Sequence, residues 1–177
     1  MLRAMNGLAE VHRLRGELEE AEGRLRQILS LYDSMGSGAT ELIRFNLGLV
    51  LNAQQRWESA LDLFDALAAL FEARGDAWFL QSVQMARLPG LATLARWDGF
   101  DAALAAVAWA VHEEGRSMDA DDVACIHQSA EVAEGAGEPV RATAAWELAL
   151  RGWRALKRRD KVREARVALE RLAAEPL

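Results

Sequence analysis

A short stretch of sequence returns four times along this chain at intervals of about forty residues, a spacing that leaves few folds open. Gly16-Glu17-Leu18-Glu19-Glu20-Ala21 is followed by Leu25 and Ile28, and Gln55-Arg56-Trp57-Glu58-Ser59-Ala60 by Phe64 and Leu67. The frame recurs as Asp98-Gly99-Phe100-Asp101-Ala102-Ala103, then Val107 and Ala110, and as Gly137-Glu138-Pro139-Val140-Arg141-Ala142, then Trp146 and Ala149. A small residue four and seven places before apolar ones is one face of a helix. The alanines at 21, 60, 103 and 142 are 39, 43 and 39 residues apart, room for two helices and their turns.

Twelve residues before each alanine stand Ala9, Gly48, Leu91 and Ala130, where a first helix must come close to its partner. Three of the four are small; Leu91 and the preceding Gly90 break the pattern, so the third copy has the loosest register. Composition agrees with helix throughout: 51% of residues are hydrophobic, alanine is abundant and only three prolines occur. Turn residues punctuate the frame. Met35-Gly36-Ser37-Gly38 separates the first two copies, with Thr40 as a cap. Gly75 suits a helix end and Asp76 a helix start, Gly115 to Asp119 separates copies three and four, and Pro139 fits a first helical turn. Pro89 should kink or divide the segment 77 to 95.

The repeated frame resembles the tetratricopeptide repeat (TPR) family, with Leu47-Gly48, Ala60 and Phe64 as the best matches and Gly16 to Ala21 as the clearest turn, over residues 2 to 157. The resemblance implies an all-α fold: a right-handed α-α solenoid of about four TPR-like helical hairpins plus a C-terminal capping helix, in a single domain over 1–177. The hairpins are expected near 2–35, 39–74, 76–115 and 119–157. The cap is expected near 160–174, where Val162, Ala165, Leu169 and Leu172 share one side. Nothing polar caps the helix that begins near Leu2, so the first hairpin is expected to be covered by preceding chain, a partner or a second copy.

In that family geometry the first helices line a concave groove. The polar positions of those helices then become partner-binding residues: Asn6, Glu10 and Arg13; Phe45, Asn46, Leu49 and Asn52; Gln84 and Arg87; and His127, Gln128 and Glu131. Amides and guanidinium groups suit a peptide's backbone or carboxylate, and Phe45 with Leu49 an apolar side chain. The lysine-rich clamp of chaperone-binding members is not reproduced, since no lysine precedes Lys157. The repeat length and helix ends such as Glu72-Ala73-Arg74-Gly75-Asp76 resemble repeats attached to bacterial signalling ATPases, LuxR-type regulators and serine/threonine kinases. A regulatory module that binds a protein or peptide is the implied role. A small-ligand sensor, whose solenoid pocket controls assembly, is the alternative; a deep aromatic cavity lined by Gln84 or His127 would mark it.

Other classes have little to stand on. His12, His112 and His127 fall in different hairpins without metal-ligand spacing, Cys125 has no second cysteine, and no phosphate-binding or nucleophile motif occurs. Asp119, Asp121 and Asp122 lack the glycine and distal glutamate of a calcium loop and read as a helix cap. No catalytic residue, cofactor or metal is expected. Of six tryptophans, Trp146 takes a core position, Trp57 and Trp97 cover helix ends, and Trp78, Trp109 and Trp153 are less constrained.

Net charge is −6, unevenly spread. From Arg151 to Arg171 nine Lys or Arg face three acids, a balance of +6, which leaves −12 for the remaining residues. The overall sign disfavours nucleic acid, with the basic end as its one foothold. The N-terminus lacks the features of a secretory signal and no segment reaches the ~20 apolar residues of a membrane span, which sets a cytoplasmic location as the expectation.

Overall fold

A computed structural model describes residues 2–34 and 40–174, and the turn expected at 35–38 lies outside them. Among the described residues the chain forms nine α-helices: α1 (Leu2–Leu14), α2 (Leu18–Ser34), α3 (Glu41–Ala53), α4 (Trp57–Arg74), α5 (Ala77–Thr93), α6 (Trp97–His112), α7 (Ala120–Gly135), α8 (Pro139–Ala155) and α9 (Arg159–Ala174). They fall into two compact units, residues 1–76 and 77–177. In the first unit α1 packs on α2, α3 on α4, and α2 and α1 on α3. In the second, α5 packs on α6 and α7, α7 on α8, and α8 on α6 and α9.

One turn is used six times. At residues 16, 55, 75, 95, 137 and 157 the backbone swings to φ between 50° and 76°. At each, the N–H of that residue bonds the carbonyl three back and the next N–H the carbonyl five back, as in Gln55 to Asn52 and Arg56 to Leu51. Two otherwise unsatisfied carbonyls at the helix end are thereby paired, and the following helix begins two residues on. Gly16, Gly75 and Gly137 take this left-handed conformation freely, whereas Gln55, Ala95 and Lys157 hold it against Cβ sterics.

These turns give a stricter register than residue identity does. The residue five places after the left-handed one is Ala21, Ala60 and Ala142 after turns 16, 55 and 137, but Phe100 after turn 95. Phe100 N–H bonds the Arg96 carbonyl as Ala60 N–H bonds that of Arg56. Phe100, not Ala103, is therefore the third member, with Leu104 and Val107 four and seven places on and Leu88 twelve places before; Phe100, Val107 and Leu88 are fully buried. Sequence matching follows alanine and so misses by three residues. Pro89 does not divide the segment: α5 runs through it, and Thr93 Oγ1 donates to the Pro89 carbonyl at 2.8 Å.

Glycine enforces close helix approach at Gly48, where the frame predicts it, and again at Gly152, which the frame does not mark. A Cβ on Gly48 would lie 2.5 Å from the Phe64 ring, and one on Gly152 of α8 would overlap Val123 of α7. Polar ties run between residues about one repeat apart, as in a solenoid whose units touch only their neighbours. Glu22 holds Arg56 and Glu41 holds Arg74 in the first unit. Asp101 holds Arg141 in the second, at 2.8 Å. Gly75 ends α4 and Pro139 starts α8 as expected, and Asp119 and Asp122 form a reciprocal capping box on α7. Thr40 stands at the cap position of α3 without a side-chain capping bond.

Candidate functional site

Counted back from the turn-anchored position, the candidate residues of α1, α3 and α7 fall on a fixed set of places: fifteen, fourteen, eleven and eight before it. In α1 these places hold Asn6, Gly7, Glu10 and Arg13, and in α3 Phe45, Asn46, Leu49 and Asn52. The first unit brings them together. Asn46 Nδ2 donates to Asn6 Oδ1 at 3.0 Å across 40 residues of chain, with both side chains half-buried. That bond occupies the Asn6 carbonyl oxygen and an Asn46 amide hydrogen; the Asn6 amide and the Asn46 carbonyl oxygen form no other hydrogen bond among the described residues. Arg13 clamps Glu10 through Nη2 and Nε, at 2.5 and 3.0 Å. Phe45 is half-buried and meets Phe64 edge to face at 5.8 Å, while Leu49 and Asn52 are buried.

In α5 the same four places hold Met85, Ala86, Pro89 and Ala92, all buried. Gln84 and Arg87 lie sixteen and thirteen places before Phe100, outside the four places, and they bond each other at 2.7 Å, half-buried. They do not continue a polar face along α5, which instead packs an apolar surface on α7.

In α7 the places hold His127, Gln128, Glu131 and Glu134; the last escaped the sequence reading although the frame points to it. Glu134 accepts from Trp146 Nε1 at 3.1 Å and pairs with Arg171 of α9 at 2.5 Å. A cleft of about 790 Å³ opens between α7 and α9, walled by Glu131, Glu134, Glu164, Arg163 and Arg171 and floored by Trp146 and Ala168. Trp146, the aromatic residue of its lining, is only 2% exposed, and neither Gln84 nor His127 lines the cleft.

His127 is buried beside it. Its Nε2 lies 3.6 Å from Glu131 and 3.5 Å from Glu164, the one His-carboxylate group among the described residues close enough to surround a cation. Trp153 decides against that use. Its indole N–H, which can only donate, points at His127 Nδ1 at 3.1 Å. Nδ1 therefore carries the lone pair and the neutral ring carries its proton on Nε2, where a metal would need the lone pair. Burial, with the Lys161 ammonium nearby, holds the His127 pKa below its ordinary value despite Glu131 and Glu164. The group is a neutral imidazole that donates toward two carboxylates and fixes α7 against α8 and α9.

The remaining surface carries two further features. Leu8, Val11 and Leu14 form an exposed stripe on α1, 41–69% accessible, at the end expected to need a cover. Trp78 and Trp109 are 60% and 61% exposed, whereas Trp146 and Trp153 are core. No described helix is long and apolar enough to cross a membrane.

Comparison with known proteins agrees with this geometry. No protein-family model and no curated protein matches the chain. Among solved structures it is similar to the nearly identical TPR-like repeats of a Podosopora anserina protein assigned as a kinesin light chain. That match has 15% identity and a TM-score of 0.66, over 98% of this chain and 95% of the other. A singly substituted form of those repeats matches at 16% identity and TM-score 0.66, over 98% and 93%. BtubC from P. vanneervenii matches at 12% identity and TM-score 0.60, over 98% and 82%. The fold is that of TPR-like helical repeats, all-α along the described chain.

Proposed function

We propose that this chain is a protein-interaction scaffold, and that the face of α1 and α3 in the first unit binds an extended peptide of a partner protein. The observation that carries this reading is the Asn6–Asn46 pair. Residues from neighbouring hairpins present the Asn6 amide as donor and the Asn46 carbonyl oxygen as acceptor, the combination that a peptide backbone requires, on the face that also carries the half-buried ring of Phe45 and the Glu10–Arg13 pair. The likeness to TPR-like repeats supports binding rather than catalysis, and the repeat style fits a regulatory module of a larger bacterial signalling system acting in the cytoplasm. Selection of a random-peptide library on the immobilised chain tests it. Enriched peptides are expected to lose about tenfold or more in affinity for a Phe45→Ala/Asn46→Ala variant whose circular dichroism is unchanged, as for removal of an interface anchor. Peptides that bind wild type and the folded variant equally would refute the site.

The α1 stripe of Leu8, Val11 and Leu14 supports self-association as a second mode of contact at that end. Light scattering should then show a dimer that Val11→Glu converts to monomer; a monomeric wild type would dismiss it.

A further inference from the structure

The nine Lys and Arg between Arg151 and Arg171 divide into two groups. Four are held: Arg151 donates to the Val111 carbonyl at 3.1 Å, and Arg158 pairs with Asp160 at 3.0 Å. Lys161 pairs with Glu164 at 2.7 Å and Arg171 with Glu134 at 2.5 Å. The other five, Arg154, Lys157, Arg159, Arg163 and Arg166, form no ion pair among the described residues and all are exposed. All five converge. With Val162 they line a second cleft, of about 490 Å³, at the turn from α8 to α9, and no acid contributes to its wall.

Five like charges held in one concavity repel one another and raise the local potential, so an anion that enters gains from all of them at once. Four are guanidinium groups, whose planar fork fits a carboxylate through two bonds. Surroundings decide between a short anion and a long one. Outside Arg151–Arg171 the chain carries −12, so a nucleic acid strand running beyond the cleft would meet a net acidic protein, whereas a compact segment stays within the basic patch. Val162 adds an apolar contact at the base that the side chain of a peptide can use.

We propose that this cleft at the α8–α9 turn binds a short acidic segment of a partner polypeptide, rich in Asp and Glu carboxylates. It is separate from the α1–α3 face and does not depend on it. The test is fluorescence anisotropy of a labelled oligoglutamate with the full chain. Binding at low salt that weakens as salt rises is expected. The variant Arg159→Gln/Arg163→Gln/Arg166→Gln should weaken it by about tenfold or more, as loss of several charge-assisted contacts implies. Lys157→Gly offers an independent check: glycine relieves the left-handed turn (φ 58°), so Tm should hold or rise while affinity falls. An oligoglutamate that does not bind, or that binds both variants like wild type, would overturn the proposal. So would an oligonucleotide of equal charge that displaces it at the same salt, which would make the site one for nucleic acid.

Discussion

The second and third hairpins share a turn and differ in almost everything packed behind it. Around the α3–α4 turn the anchored trio is Gly48, Ala60 and Phe64: two small residues and one large ring that fills the space they leave. Around the α5–α6 turn the equivalent trio is Leu88, Phe100 and Leu104, with the large ring moved to the place of the alanine and an apolar side chain in place of the glycine. The hydrogen bonds of the two turns are the same. Backbone geometry therefore sets the repeat, while the side-chain volume packed behind the turn can differ between hairpins. The difference reaches the candidate binding face as well. The places that are Phe45, Asn46, Leu49 and Asn52 in α3 are Met85, Ala86, Pro89 and Ala92 in α5, and that stretch of helix is committed to packing.

The largest effect expected from breaking this comparison is Phe100→Ala. It restores the residue found at 21, 60 and 142, yet it should cost about 3–5 kcal/mol in urea unfolding, because a fully buried ring leaves a cavity. A neutral result would mean that α5–α6 packs like the other hairpins. Gly48→Ala comes next. Its Cβ would press on the Phe64 ring, itself fully buried, and a loss of about 1–3 kcal/mol is predicted; full stability would show that the ring can yield. The smallest effect is a gain. Gln55→Gly should raise Tm slightly, by less than about 1 kcal/mol in free energy, since relief of the left-handed strain exceeds the added chain entropy only narrowly.

Much of this was legible in the sequence, for reasons visible at particular residues. Gly16 and Gly137 announce their turns because glycine takes positive φ without strain, and Gly48 with Ala60 and Phe64 declares a close helix pair. Gln55, Ala95 and Lys157 carry no such mark, so the third copy, matched on alanine, slips by three residues. Pro89 reads as a break or kink, but α5 continues through it along a stretch where Leu88, Pro89, Gly90 and Leu91 are all buried. The repeat frame places Asn6 and Asn46 on a shared face but gives no sign of the hydrogen bond that joins them. The division of the basic end into held and unheld cations could not be read at all, because it depends on acids such as Glu134, 37 residues from its partner Arg171.

The register of the third hairpin is tested most directly by glycine substitution at residues 95 and 98, with Tm compared to wild type. If the left-handed turn lies at Ala95, Ala95→Gly raises Tm, and Asp98→Gly, inside the first turn of α6, lowers it by roughly 1 kcal/mol equivalent. The opposite order, with Asp98→Gly stabilising and Ala95→Gly not, would put the turn where alanine matching places it and contradict Phe100 as the third anchor.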